Sequence, residues 1–141
     1  MTDAVSLPAT TSTPPSAVLR WLRLEGVAAF AAGLAIYGVN DGPWLLVLPL
    51  LLVPDISMIG YLRSPALGAQ TYNLAHNWAV GLAVLGIGWW TGIAWAVLAG
   101  AILIGHVGMD RALGYGLKLP TSFQDTHLGR IGRDRARVRP S

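Results

Sequence analysis

Apolar residues in this chain come in four long runs separated by short polar punctuation. The first covers residues 22–39 and stops at Asn40-Asp41-Gly42-Pro43, a strong turn signal. The second covers 44–61, contains Pro49 and Pro54, and is followed by Arg63-Ser64-Pro65. The third covers 68–88. After a short hairpin at Trp89-Trp90-Thr91 the fourth covers 92–109. As α-helix each run spans roughly 27–32 Å, which matches a hydrocarbon core of about 30 Å. The pattern predicts an all-α fold, a four-transmembrane-helix bundle over 20–112. A disordered Ser/Thr/Pro-rich tail is expected over 1–19, a polar segment or lid over 113–132, and a basic disordered tail over 133–141. Met1–Ser16 lacks a basic n-region, so it does not read as a secretory signal peptide.

Each run is interrupted by an ionisable residue: Glu25, Asp55, His76 and His106. A charge near the middle of a membrane helix costs about 2.5–3.5 kcal/mol on insertion scales, so such residues read as functional by default. Topology sets their depth. All ten Lys and Arg residues lie before or at the start of the first run, in the loop at Arg63, or after the fourth run. The positive-inside rule then places both termini in the cytoplasm, and the expected location is the plasma (inner) membrane. Trp44, Trp89 and Trp90 mark the outer interface, and Trp21, Tyr61 and Tyr72 the inner one. Under that topology Glu25, Asp55, His76, His106 and Asp110 all fall in the cytoplasmic half. Asp110 shares a helix face with His106 at i+4, and Tyr72, Asn73 and Asn77 surround His76 at helical spacing. Pro54 removes a backbone donor beside Asp55, so a kink is expected there. Small residues supply packing: Gly92, Ala96 and Gly100 on the fourth span, and Ala28, Ala29, Ala32 and Gly33 on the first.

Composition narrows the class. Of 141 residues, 53% are hydrophobic and only 12% charged, against about 25% charged in soluble chains. The absence of cysteine excludes disulfides and thiolate metal sites. The net charge of +3 arises from loops and tails beside apolar runs. It therefore points to membrane orientation and anionic lipid headgroups, above all at 130–139, rather than to nucleic acid.

The tail is a distinctive string. Gly105-His106-Val107-Gly108-Met109-Asp110-Arg111 leads through Gly114-Tyr115-Gly116-Leu117-Lys118 into Phe123-Gln124-Asp125-Thr126-His127-Leu128-Gly129. Together with Arg23-Leu24-Glu25-Gly26, Pro54-Asp55-Ile56-Ser57-Met58 and Tyr72-Asn73-Leu74-Ala75-His76, it resembles a domain-of-unknown-function family of small bacterial integral membrane proteins. The resemblance covers roughly 23–132. It implies a four-helix membrane protein whose motif residues include those reached from depth, and it implies no activity.

The residues favour acid/base chemistry on a lipophilic small molecule, of isomerase or cyclase type. Glu25, Asp55, His76, His106 and Asp110 are the candidate catalytic groups. Tyr72, Asn73, Asn77, Tyr115, Asp125 and His127 are candidate substrate contacts, the last two on a lid. The alternatives are a proton-coupled transporter and a structural or accessory membrane protein. Two His and two Asp on different helices can in principle hold a metal or haem. Without HExxH or dense ligand spacing, no metal set is assigned and the cofactor stays open.

Overall fold

The computed structural model describes residues 14–132. The basic tail and most of the expected N-terminal tail lie outside the described residues. The chain is mostly helical: α1 (Ser16–Val39), α2 (Val47–Leu51), α3 (Pro65–Ala75), α4 (Trp78–Thr91) and α5 (Ala94–Leu113). Two 3₁₀ segments, Trp44–Leu46 and Val53–Leu62, flank α2, and two short strands, β1 (Asp125–Thr126) and β2 (Gly129–Arg130), pair antiparallel. This hairpin adds to the all-α reading. Helix α1 begins at Ser16, directly after Pro15, so residues 16–19, assigned to the tail, are helical.

Among the described residues, three stretches are long and apolar enough to cross a membrane: Ser16–Val39, Trp44–Leu62 and Ala94–Leu113. The expected third span is not one helix. Helix α3 ends at His76, α4 starts after Asn77, and neither half reaches the length of a span. Asn77 is extended, at φ −117° and ψ 151°. Its Oδ1 accepts from the Val80 N–H at 3.1 Å, and its Nδ2 donates to the carbonyls of Asn73 and Leu74 at 2.9 Å each. One amide thus caps the end of α3 and the start of α4. Asparagine favours this position because its side chain competes with the backbone for hydrogen bonds. Non-helical backbone at membrane depth survives only when its polar groups are satisfied in this way.

The other boundaries follow ordinary chemistry. The Asn40 side chain donates to the Ile36 carbonyl at 2.8 Å, and Asp41 turns the chain at φ 59°. Gly92 and Gly114 close α4 and α5 in the left-handed conformation, at φ 70° and 92°. The second stretch changes helix type where the sequence predicts a kink. It passes from α-helix to 3₁₀ around Leu52, just before Pro54.

Helix α5 is central and packs along α1 and α4. Both contacts are built on missing side chains. A Cβ on Gly33 would lie 2.6 Å from the Ala101 carbonyl oxygen, and one on Gly100 would lie 2.4 Å from the Leu85 nitrogen. Gly26, Gly88 and Gly108 are equally tight against backbone. Of the small residues expected as packing surfaces, Gly33, Ala96 and Gly100 are buried and the others differ. Ala28 and Ala32 face outwards while Gly26 and Gly33 are buried, and Gly92 lies in the turn rather than on the ladder. Tyr37, Leu51, Ala101 and Ile102 form the main buried cluster. Large apolar side chains elsewhere, such as Leu45, Leu48, Trp90 and Trp95, are exposed, as lipid-facing residues are.

Candidate functional site

Each of four chain segments delivers one part of a polar cluster. The 3₁₀ segment carries Asp55, α3 carries Tyr72, the α3–α4 break carries His76, and α5 carries His106 and Asp110. His76 Nε2 lies 2.8 Å from His106 Nε2. Asp55 Oδ1 lies 3.3 Å from the first and 3.6 Å from the second. Asp110 Oδ2 lies 3.8 and 3.9 Å from the same two nitrogens. The Tyr72 hydroxyl donates to Asp110 Oδ2 at 2.6 Å, and its ring stacks on the His76 imidazole at 3.7 Å between centroids. Both imidazoles are sealed from solvent, at 1% and 0% exposure, while Asp55 remains about one-third exposed.

Hydrogen bonding fixes the tautomers. His76 Nδ1 faces the Tyr72 carbonyl at 2.9 Å, and His106 Nδ1 faces the Leu51 carbonyl at 2.5 Å. A carbonyl oxygen only accepts, so each Nδ1 carries the proton and donates. Each Nε2 of a neutral ring then presents a lone pair to the other. Two lone pairs at hydrogen-bond distance repel unless a positive charge lies between them.

Pro54 explains why Leu51 is available. A carbonyl at position 51 would meet the N–H of residue 54 or 55. Proline has none, and the Asp55 N–H goes to the Leu52 carbonyl at 3.2 Å. The freed oxygen takes the His106 ring instead. The proline expected to kink the helix therefore also orients a histidine on a different helix.

The cluster lies at one wall of a cavity of about 460 Å³. Asp55, Tyr72 and Asp110 contribute the polar wall, Met58 an apolar one, and the segment after α5 much of the rest through Tyr115, Lys118, Phe123 and Ile131. That segment is tied down. The Asn73 side chain accepts from the Lys118 N–H at 2.7 Å and donates to the Lys118 carbonyl at 2.9 Å. Phe123 packs edge-on against Tyr61 at 5.3 Å. Lys118 is buried, donates to the Phe123 carbonyl at 2.9 Å and lies over the Phe123 ring. Burial pushes its ammonium below the usual lysine range, and Asp110 opposes that shift.

Of the residues singled out from the sequence, Asp55, His76, His106, Asp110 and Tyr72 converge. Tyr115 lines the cavity. Asn73 and Asn77 hold backbone, one at the segment after α5 and one at the helix break. Asp125 accepts from Thr121 and pairs with Arg130 at 3.4 Å, and His127 Nδ1 accepts from the Leu117 N–H at 2.9 Å. Both belong to the hairpin rather than to the cavity wall. Glu25 does not join the cluster. It is exposed on α1, beside the buried Gly26. Sequence reasoning missed Lys118 and the Leu51 carbonyl. The first is a lone cation inside the motif string, with no charged neighbour at helical spacing to mark it as part of a site. The second has no side-chain signature at all.

A model of the domain-of-unknown-function family DUF4260 matches residues 19–131. The chain belongs to this family. The resemblance read from the motif strings therefore holds, and the cluster and all the cavity's lining but Gly132 lie inside the matched region. Comparison with curated proteins and with solved structures finds no match.

Proposed function

We propose that the chain is a four-pass membrane protein with both termini in the cytoplasm, and that its cavity performs acid/base chemistry on a lipophilic molecule with a polar end. The topology rests on the three apolar stretches, on α3 and α4 acting together as a broken fourth span, and on the one-sided distribution of Lys and Arg. The basic tail suits anionic headgroups on that side.

One observation carries the chemical reading: carboxylates held against a sealed pair of imidazoles open onto a cavity with aromatic and apolar walls. Asp110, bonded to the Tyr72 hydroxyl, is the group best placed to exchange a proton with a bound molecule. Asp55 faces the same space. Lys118 supplies positive charge for a polar or anionic end. Double-bond isomerisation and proton-initiated cyclisation each begin with a proton gained at a double bond and end with one lost as the shifted or ring-closed product forms, with no co-substrate, so they are the reaction classes that fit. Purified protein incubated in D₂O with membrane lipid extract is expected to place deuterium in one lipid class, read by mass spectrometry. Asp110→Asn is expected to abolish the label. No incorporation by the wild type across isoprenoid and other lipid extracts overturns the reading.

A second reading, proton-coupled transport, is favoured by the broken helix beside the cluster, a feature of transporter binding sites. Substrate flux driven by a pH gradient in proteoliposomes would establish it in place of the first.

A further inference from the structure

We infer that His76, His106 and Asp55 bind one divalent first-row transition-metal ion of the Zn²⁺ or Fe²⁺ type, with Asp110 beside the remaining coordination position. The inference rests on the geometry of the cluster and holds whether or not the cluster is catalytic.

The donor atoms already sit at ligand spacing. The separations of 2.8, 3.3 and 3.6 Å bracket the edge of a tetrahedron around an ion with ligands at about 2.0–2.1 Å, roughly 3.3 Å. All three lie within 4.8 Å of one another, from three separate elements. The N₂O donor set suits zinc or non-haem iron rather than calcium or magnesium.

The surroundings are those of a metal ligand set. Both imidazoles donate their Nδ1 protons to backbone carbonyls, which fixes the tautomer and aims the Nε2 lone pair inwards. The neighbouring carboxylate of Asp110 is itself held by Tyr72. Three protein ligands with a further position facing a cavity is the pattern of an open site, not a closed structural one.

A shared proton between the two nitrogens is the competing source of positive charge. A protonated His76 that shares its Nε2 hydrogen between His106 Nε2 and Asp55 Oδ1 fits the 2.8 and 3.3 Å contacts, but it assigns no bond to the 3.6 Å approach of Asp55 Oδ1 to His106 Nε2. An ion with several coordination positions accounts for all three atoms at once.

The test uses the full-length protein purified in detergent without added chelator. Elemental analysis is expected to find about one transition-metal ion per chain. After stripping, Co²⁺ titration is expected to give saturable visible d–d absorption at one equivalent, competed away by Zn²⁺. His76→Ala and His106→Ala are expected to lose it, and Tyr72→Phe to weaken affinity by about 10–100-fold. Wild-type protein that is metal-free as purified and gives no d–d spectrum with Co²⁺ overturns the inference, and that measurement needs no variant to fold. Metal binding without deuterium incorporation into any lipid class would remove the catalytic reading and leave the site. Incorporation at full rate by stripped protein that also fails to bind Co²⁺ would do the reverse.

Discussion

Helix α5 is held in two opposite ways. Against α1 and α4 it makes contact through absent side chains, with Gly26, Gly33, Gly88, Gly100 and Gly108 bringing backbones together. Against the 3₁₀ segment and α3 it makes contact through polar atoms, with His106 and Asp110 meeting Asp55, His76 and Tyr72. In lipid the hydrophobic effect does not drive helices together, so close packing must do so. The glycine seams supply that packing and tolerate no added atom. The polar contact brings ionisable groups together, at a cost in buried polarity. Under the proposed function one region determines stability and the other chemistry, and substitutions should separate the two.

The largest expected effect is at the seams. Gly33→Val or Gly100→Val places a side chain against backbone that cannot yield, and a loss of about 3 kcal/mol is expected in detergent-denaturant unfolding. Gain of stability in either variant would break the comparison. Next comes His106→Ala, which strands the Leu51 carbonyl in a buried site. A loss of about 1–3 kcal/mol is expected, with far-UV dichroism retained and deuterium exchange into lipid abolished.

Smaller effects sharpen the contrast. Asn77→Ala removes the amide that joins α3 to α4 and is expected to cost about 1 kcal/mol. If it also lowers Co²⁺ affinity, the break is part of the site; unchanged affinity confines it to the fold. Pro54→Ala restores an N–H that competes for the Leu51 carbonyl. It is expected to weaken Co²⁺ binding by about tenfold, with little change in unfolding. Smallest is Gly86→Ala, where an added Cβ meets nothing within 4 Å. It is expected to be neutral or to stabilise by up to about 1 kcal/mol through helix propensity. Destabilisation there would show that the glycine seam extends further than the tight positions.

Much of this was legible along the chain. The helix boundaries at Asn40, Arg63 and Gly114 follow turn chemistry that depends on local residues alone, whereas the hairpin expected at Trp89-Trp90-Thr91 is helical and the turn falls at Gly92 and Ile93, where glycine can take the left-handed conformation. Asp55, His76, His106 and Asp110 stood out because ionisable groups are costly in apolar runs. The same rule also selected Glu25, which sits on an exposed face, because hydropathy reports that a charge is present but not where its side chain points. The helix break was hidden for a related reason. At helical spacing Asn73, His76 and Asn77 look like one polar face, and only the capping bonds of Asn77 reveal a discontinuity.

The sequence by itself determined the helical class, the apolar stretches, the family and the inventory of costly polar groups. These follow from composition, periodicity and motif, all properties of the chain read in order. Only the tertiary structure decided that two imidazoles from positions 76 and 106 meet at 2.8 Å, that a carbonyl freed by Pro54 orients one of them, and that Lys118 enters the cavity. Those contacts join residues tens of positions apart. Their distances depend on how α5 meets the 3₁₀ segment and the α3–α4 break, which no local pattern encodes.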